Sequence, residues 1–354
     1  MSRLVDSSEL PPPDADSAPR AGNMAPRTTA LLSSGGIWST ISPYLSIARP
    51  DHWIKNAFMG LGVLLAFFYY PDTLGWGAFG QVLWALMTTC LAASSNYVLN
   101  EILDAPKDRH HPVKHARPIP AGLVKLPIAY IEWIALGALA LVAAWQLNVA
   151  FTASTAALLF MGLVYNVPPV RSKELPYIDV LSESVNNPLR LLLGWFAVTA
   201  AAVPPVTLMV FYWMIGAFFM ASKRFAEYRS IGDPEVAANY RRSFRHCNDQ
   251  QLLVSMFFYA TAAALFLGMF IIRYHLELIL SVPLIAGFFS MYMRMALKKD
   301  SAAQNPERLY RESGLMVYLV ICVVAFVGLM FVHIPYLHEL FNVPESDMPT
   351  LWHI

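Results

Sequence analysis

An all-α, polytopic membrane protein is the fold class that these 354 residues predict, on three grounds. The composition is 56% hydrophobic and only 14% charged, with a mean hydropathy of +0.46; an ordinary soluble domain carries roughly a quarter charged residues. Apolar stretches near the ~20 residues needed to cross a bilayer recur along the chain. The connections between them alternate in basic charge, as the positive-inside rule asks of a chain threaded back and forth. A cytosolic enzyme, a disordered chain, a collagen and a disulfide scaffold are excluded. The formal charge of +1, from 25 Lys and Arg against 24 Asp and Glu, supplies no field to draw nucleic acid. Cys90, Cys247 and Cys322 lie far apart without CxxC spacing and read as free thiols.

Residues 1–45 are rich in Pro, Ser and Ala (PPPDADSAPRAG) and read as a disordered cytoplasmic tail. They hold no apolar core beside a small-residue cleavage site, so no removable signal peptide is expected. Nine candidate spans follow at about 54–71, 79–103, 127–147, 149–167, 178–200, 204–225, 250–273, 276–296 and 314–334. Glu183 and Arg190 interrupt the fifth, and a tight turn near Asn148 joins the third to the fourth, so eight or ten are the alternative counts. Lys107, Arg109, Lys114, Arg117 and Lys125 follow span two; Arg171 and Lys173 follow span four. Lys223, Arg224, Arg229, Arg241, Arg242 and Arg245 follow span six; Arg294, Lys298, Lys299, Arg308 and Arg311 follow span eight. The other connections hold only Arg273. This places the N-terminus in the cytoplasm, a transmembrane domain at 46–335 in the inner membrane, and a short tail, 336–354, outside.

Chemistry is expected where polar residues enter this apolar chain. The segment NEILDAPKDRHHPVKHARPIPAG, residues 100–122, closes span two. Asn96, Asn100, Asp104 and Asp108 recur every four residues, so on a continuous helix they form one stripe with about 6 Å between steps. Such a stripe is costly near lipid unless it serves an ion or a cavity. Carboxylate and amide oxygens suit Mg2+, which usually bridges to substrate phosphates, and Arg109, Lys114 and Arg117 are placed to hold the rest of a polyanion. The alternative is that Asp104 and Asp108 pair with Arg109 and Lys107 in a solvated loop. Pro106 falls between the two acids, so the helix is expected to end near Asp104 and leave Asp108 on a loop.

The string Asn-(Asp/Glu)-x-x-Asp-x-x-x-Asp-Arg followed by His-Pro, Lys and Arg-Pro resembles the first signature of the UbiA superfamily of intramembrane prenyltransferases. That resemblance implies nine helices around a central cavity, open to the cytoplasm and laterally to lipid, with two acidic motifs at the cytoplasmic mouth. ARPDHWIKN at 48–56, with Lys55, resembles an entry motif of the superfamily's decaprenyl-phosphate phosphoribosyltransferase branch; SKRFAE at 222–227 resembles that branch's Lys-Arg-Tyr-Ala-Glu. Where aromatic prenyltransferases carry a second Asp-x-x-x-Asp, this chain has Lys223 and Glu227. An ammonium in place of a carboxylate removes a metal ligand and adds a phosphate-binding charge, which favours a donor with more phosphate.

Asp179, Glu183, Asn186 and Arg190 follow helical spacing on one face of span five. They read either as a Glu183 to Arg190 ion pair or as a polar wall of the donor cavity, with Arg171 and Lys173 as clamps on phosphate. Asp179 and Arg190 resemble the branch pattern; Glu183, Asn186 and Asn187 do not. His110, His111 and His115 lie among oxygen ligands that favour a hard cation and lack HExxH spacing, so they are not assigned to zinc. Tyr97 and Tyr165 are candidate aromatic walls for a developing cation. FFYATAAALFLGMF (257–270) reads as lipid-facing or packing surface.

These parts join into one expected mechanism. Magnesium on Asn100, Asp104, Asp108 and Glu227, with Arg117, Arg171, Lys173, Lys223 and Arg224, neutralises a departing diphosphate, while a polyprenyl acceptor enters from lipid. Asn96, Lys55, Arg109, Lys114, Tyr165, Asp179, Glu183 and Arg190 complete the expected substrate contacts. Phosphoribosyl diphosphate with a polyprenyl phosphate acceptor is the favoured pair; a prenyl diphosphate with an aromatic acceptor is the second. A membrane carrier is the third, and the absence of a clear internal repeat counts against it.

Overall fold

The computed structural model describes residues 37–109, 114–298, 301–304, 309, 312–344 and 352–353. Most of the expected tail, together with His110, His111, Lys299, Arg308 and Arg311, lies outside the described residues. The chain divides into two compact units, Met1–Ser42 and Pro43–Ile354; the site and its scaffold belong to the second. The α-helices among the described residues are α1 (Ile37–Ile47), α2 (Gly60–Tyr69), α3 (Trp76–Asp108), α4 (Leu126–Trp145), α5 (Val149–Asn166), α6 (Ile178–Ser184) and α7 (Asn186–Val198). They continue as α8 (Val206–Ile231), α9 (Pro234–Tyr240), α10 (Asp249–Tyr274), α11 (Val282–Ala296), α12 (Ser313–Leu329) and α13 (Pro335–Phe341). α1 makes the last residues of the expected tail helical. Among the described residues, strand pairing is confined to Ala202–Val203 (β1) and Trp352–His353 (β2), antiparallel.

Among the described residues, six helical segments are long and apolar enough to cross a membrane: α3, α4, α5, α8, α10 and the run Leu276–Ala296 that ends in α11. The other three predicted spans are built differently. The first opens as a 3-10 helix, Pro50–Met59, before the ten-residue α2; the last is the 17-residue α12. The fifth is divided at Val185 into α6 and α7. Pro188 has no N–H to give the Ser184 carbonyl, and the Ser182 and Ser184 hydroxyls bond back to the Ile178 and Leu181 carbonyls at 2.6 and 3.2 Å. The expected single polar face on one continuous helix is thereby corrected.

Pro106 does not end α3. It sits in the last turn, where the bond it forfeits is the one to Ile102, and Arg109 N–H still reaches Ala105 O at 3.1 Å. Asp108 is therefore helical. At 1.5 Å per residue the 33 residues of α3 run about 50 Å, beyond the ~30 Å of a hydrocarbon core, so its polar end has room to protrude.

Small residues set the closest helix approaches. A Cβ on Gly62 would strike the Leu191 carbonyl oxygen, and one on Gly194 the Met59 carbonyl oxygen, so α2 and α7 meet backbone to backbone. The fully buried Trp195 follows directly and donates its indole N–H to Ala202 O at 2.7 Å. Asn148 accepts from Phe151 N at 2.8 Å, capping α5, and donates to Phe196 O at 2.7 Å, which fixes the tight turn foreseen there. Asn248 and Gln251 form a reciprocal capping box on α10. Ile131, Val142, Phe257, Leu265 and Val324 stand exposed on α4, α10 and α12, the outward apolar surface of a chain solvated by lipid.

Candidate active site

The stripe on α3 does not act as one unit. Asn96, the deepest member, donates Nδ2 to Leu158 O at 2.9 Å, and its amide fills the space where Gly162 lacks a side chain. It joins α3 to α5 and does not reach the site, which corrects its assignment as a substrate contact. Glu101 is turned the other way: at 4% exposed, its carboxylate accepts Ile119 N–H at 3.1 Å and anchors the basic hairpin. Asp108 is 3% exposed and takes Arg117 Nη1 at 2.8 Å.

Asn100 and Asp104 face a common point. Lys173 Nζ donates to Asn100 Oδ1 at 3.0 Å, to Asp104 Oδ1 at 2.6 Å and to Asn166 Oδ1 at 2.8 Å. Arg171 Nη2 adds a bond to Asp104 Oδ1 at 2.9 Å and its Nε lies 3.0 Å from Glu174. Asp104 thus pairs with cations from the loop after α5, not with Arg109 or Lys107. Arg171 adopts φ +32°, in the left-handed region that ordinary side chains avoid, and Tyr177 holds φ +63° inside a turn closed by Ile178 N to Pro176 O at 2.7 Å. Such backbone strain persists where surrounding contacts over-determine it, and here it aims the Arg171 to Lys173 segment at α3. Burial pushes the Lys173 ammonium below the ordinary lysine pKa, with Asp104 pulling the other way. Burial also lowers Lys114.

A second group gathers on Arg224, which is 3% exposed. Its Nε meets Asp179 Oδ2 at 3.1 Å, Nη2 meets Glu183 Oε2 at 2.9 Å and Nη1 meets Glu227 Oε2 at 3.3 Å. Arg241 approaches the same acids, at 3.6 Å from Asp179 and 3.9 Å from Glu227. Tyr165 joins the two groups: its hydroxyl donates to Glu183 Oε2 at 3.0 Å and Lys173 Nζ lies 5.9 Å from its ring centroid. The expected Glu183 to Arg190 ion pair is not formed, because Arg224 reaches Glu183 first from α8. Arg190 Nε instead donates to Asn56 Oδ1 at 3.1 Å.

Sequence comparison gives the family of the chain. The model of the UbiA prenyltransferase family matches residues 57–320. The chain belongs to the UbiA prenyltransferase family. A decaprenyl-phosphate phosphoribosyltransferase of Mycobacterium tuberculosis is 30% identical over 185 residues, 51% of this chain and 58% of that one. The nodulation protein NoeC of Azorhizobium caulinodans is 29% identical over 243 residues, 66% of this chain and 74% of that one. A UbiA homolog from Archaeoglobus fulgidus, solved bound to DMAPP and Mg2+, shares the fold with a TM-score of 0.61 at 18% identity, over 82% of this chain and 100% of that one. The chain spans little over half the length of the mycobacterial relatives it matches. Membership of UbiA and the six apolar segments make it a multi-pass membrane protein.

Within the UbiA fold, the residues foreseen from sequence separate into three sets. Asn100, Asp104, Arg171 and Lys173 converge, and Tyr165 links them to Asp179, Glu183, Arg224 and Glu227. Asp108 with Arg117, and Arg190 with Asn56, form separate pairs that remain within electrostatic reach: Lys114 interacts with both Asp108 and Asp104, and Arg190 with Glu183. Lys223 is half-buried and carries no hydrogen bond or ion pair among the described residues, its charge acting on Glu183. Lys55 and Lys114 are half-buried and Arg109 is exposed at the end of α3. Two participants were missed. Asn166, whose amide oxygen completes the cradle, directly follows Tyr165 in the sequence; Arg241 was counted only among the basic charges after span six. The cradle passes a chemical test for a hard divalent ion: three oxygens already surround a cation, the Lys173 ammonium, and Mg2+ takes oxygen ligands. Asp108 and Glu227, expected as further metal ligands, lie outside this cradle and pair with Arg117 and Arg224, as Asp104 pairs with Arg171.

Proposed function

We propose that this protein is a membrane-embedded, Mg2+-dependent transferase that ionises a diphosphate donor, and that its donor is phosphoribosyl diphosphate with a polyprenyl phosphate as acceptor. One observation carries the choice of donor. Glu227, the acid of the second motif, is paired with Arg224 and Arg241, which also hold Asp179 and Glu183, and Lys223 stands where a further carboxylate would be. This leaves one oxygen cradle for metal, and it leaves Lys223 for phosphate. The relationship to decaprenyl-phosphate phosphoribosyltransferases supports the same donor.

Asn100 and Asp104 would hold the magnesium ion, assisted by Asn166. Bound there, magnesium supplies positive charge to the oxygens of the leaving diphosphate. Lys173, released from the cradle, and Arg171 clamp those oxygens, and their charge counts for most in a site closed to water. Lys223 binds the additional phosphate of a phosphoribosyl donor. Tyr165 holds its ring beside the reacting carbon while its hydroxyl stays on Glu183. The polyprenyl acceptor enters sideways from the bilayer. Nine spans, with α2, the α6 and α7 pair and α12 crossing beside the six long segments, put the site at the cytoplasmic face and residue 344 outside.

The donor is tested by incubating purified protein with radiolabelled phosphoribosyl diphosphate and, separately, a labelled prenyl diphosphate, with polyprenyl phosphate and aromatic acceptors present. Label from phosphoribosyl diphosphate in the organic phase supports the proposal. Transfer of the prenyl label onto an aromatic acceptor, with none from phosphoribose, replaces it with the second reading, which the family name and the DMAPP-bound relative favour.

A further inference from the structure

A second constellation of ligating side chains lies far from the oxygen cradle. Glu277 stands on the 3-10 turn Leu276–Ser281, His333 on the link after α12, and His338 on α13. Glu277 is 3% exposed, and its ion-pair partners among the described residues are the two histidines. His333 Nδ1 lies 3.1 Å and His338 Nε2 3.4 Å from the same oxygen, Glu277 Oε1. The three ligand atoms all fall within 4.8 Å of one another. Ile334 N–H donates to that oxygen at 3.1 Å and fixes its direction. The α10 helix separates this group from Arg241 and Asp179: its 26 residues span about 39 Å, and Glu277 follows its far end.

Three features set this group apart from an ordinary imidazole and carboxylate contact. Two imidazole nitrogens and a peptide N–H crowd one carboxylate oxygen. The 3.1 and 3.4 Å separations match the edge of about 3.4 Å for a tetrahedron of ligands 2.0–2.1 Å from zinc. Exposure of the His333 side chain, at 57%, leaves an entry path and a free coordination position.

We propose that Glu277, His333 and His338 bind a divalent transition-metal ion of the zinc class, at a site separate from the cradle of Asn100 and Asp104. Two imidazoles and one carboxylate select such an ion over Mg2+, which prefers oxygen alone. The bound ion ties the turn after α10 to the segment after α12, so it acts as a clasp.

The test uses the full chain, without a histidine tag, in detergent, stripped by chelator and then titrated with Zn2+, and with Co2+ as a coloured probe. The expected result is one retained equivalent of Zn2+ and a visible tetrahedral Co2+ band. Glu277→Gln and His338→Ala each weaken binding more than about 100-fold, beyond the loss typical of removing a mere ligand-orienting partner. His333→Ala, at an exposed position tolerant of change, weakens it as well, while Asp104→Asn retains it. Failure of the parent to hold Zn2+, retention by Glu277→Gln and His333→Ala, or loss only on replacing His110, His111 and His115 would overturn the proposal.

Discussion

Lys173→Met separates the two duties assigned to this lysine. In the ground state the ammonium fills the cradle, bonded to Asn100, Asp104 and Asn166 at 3.0, 2.6 and 2.8 Å. An incoming Mg2+ has to displace it. One hydrogen bond to a charged group is worth about 1.5–3 kcal/mol; counting a single such bond, because the three are not additive, its removal tightens Mg2+ binding by about 10- to 150-fold in the absence of donor. Turnover moves the other way. Without the ammonium the leaving diphosphate loses one donor, and kcat falls about 100- to 1,000-fold, the range for deleting a donor to developing charge. Isothermal titration with Mg2+ alone reads the first effect, and single-turnover transfer of labelled donor reads the second. Unchanged or weaker Mg2+ affinity refutes the cradle as the metal site; unchanged turnover removes Lys173 from phosphate handling.

Lys223→Asp abolishes use of phosphoribosyl diphosphate, and retained or improved phosphoribosyl transfer would contradict the donor assignment. Because burial lowers the Lys173 pKa, its ammonium is lost at a pH below that of an ordinary lysine as pH rises, so kcat falls on the alkaline side; Lys173→Arg carries that limb to higher pH in a pH-rate profile. The same shift means the unfolded chain binds more protons than the folded one between the lowered and ordinary values, so this group's contribution to stability increases with pH across that window, measurable as an upward trend in Tm. Arg224→Met leaves Asp179, 2% exposed, with only the longer 3.6 Å contact to Arg241 for its charge, at a cost of about 3 kcal/mol, seen as a lower thermal midpoint. Gly194→Ala forces α2 from α7 and costs about 3 kcal/mol, the upper range for overpacking, read by the same melt.

What was legible in the sequence was periodic or local. The four-residue spacing on α3, the basic hairpin, the turn at Asn148 and the positions of the apolar segments all depend on neighbours a few residues away. The site itself depends on distant ones: Lys173 reaches Asp104 across 69 residues, and Arg224 reaches Asp179 across 45. Spacing placed Glu183 and Arg190 on one face of a helix but gave no sign that α8 would deliver a guanidinium to Glu183 first. Nor did it reveal that Asn96, in register with Asn100 and Asp104, would be absorbed by the gap at Gly162. The break at Val185 was invisible because Glu183 and Arg190, not Pro188, drew attention as the interruption. Glu277 and His333 are 56 residues apart and share no motif.

Tyr165 faces Lys173 of the oxygen cradle with its ring and bonds Glu183 of the guanidinium network with its hydroxyl, so displacement on one side is transmitted to the other through a single rigid side chain. On the proposed donor assignment, exchanging Lys223 and Glu227 alone is therefore not enough to transplant donor preference. A graft that installs a second pair of aspartates must also accommodate the phenol, or the altered charge on α8 will shift Lys173 and spoil the untouched half.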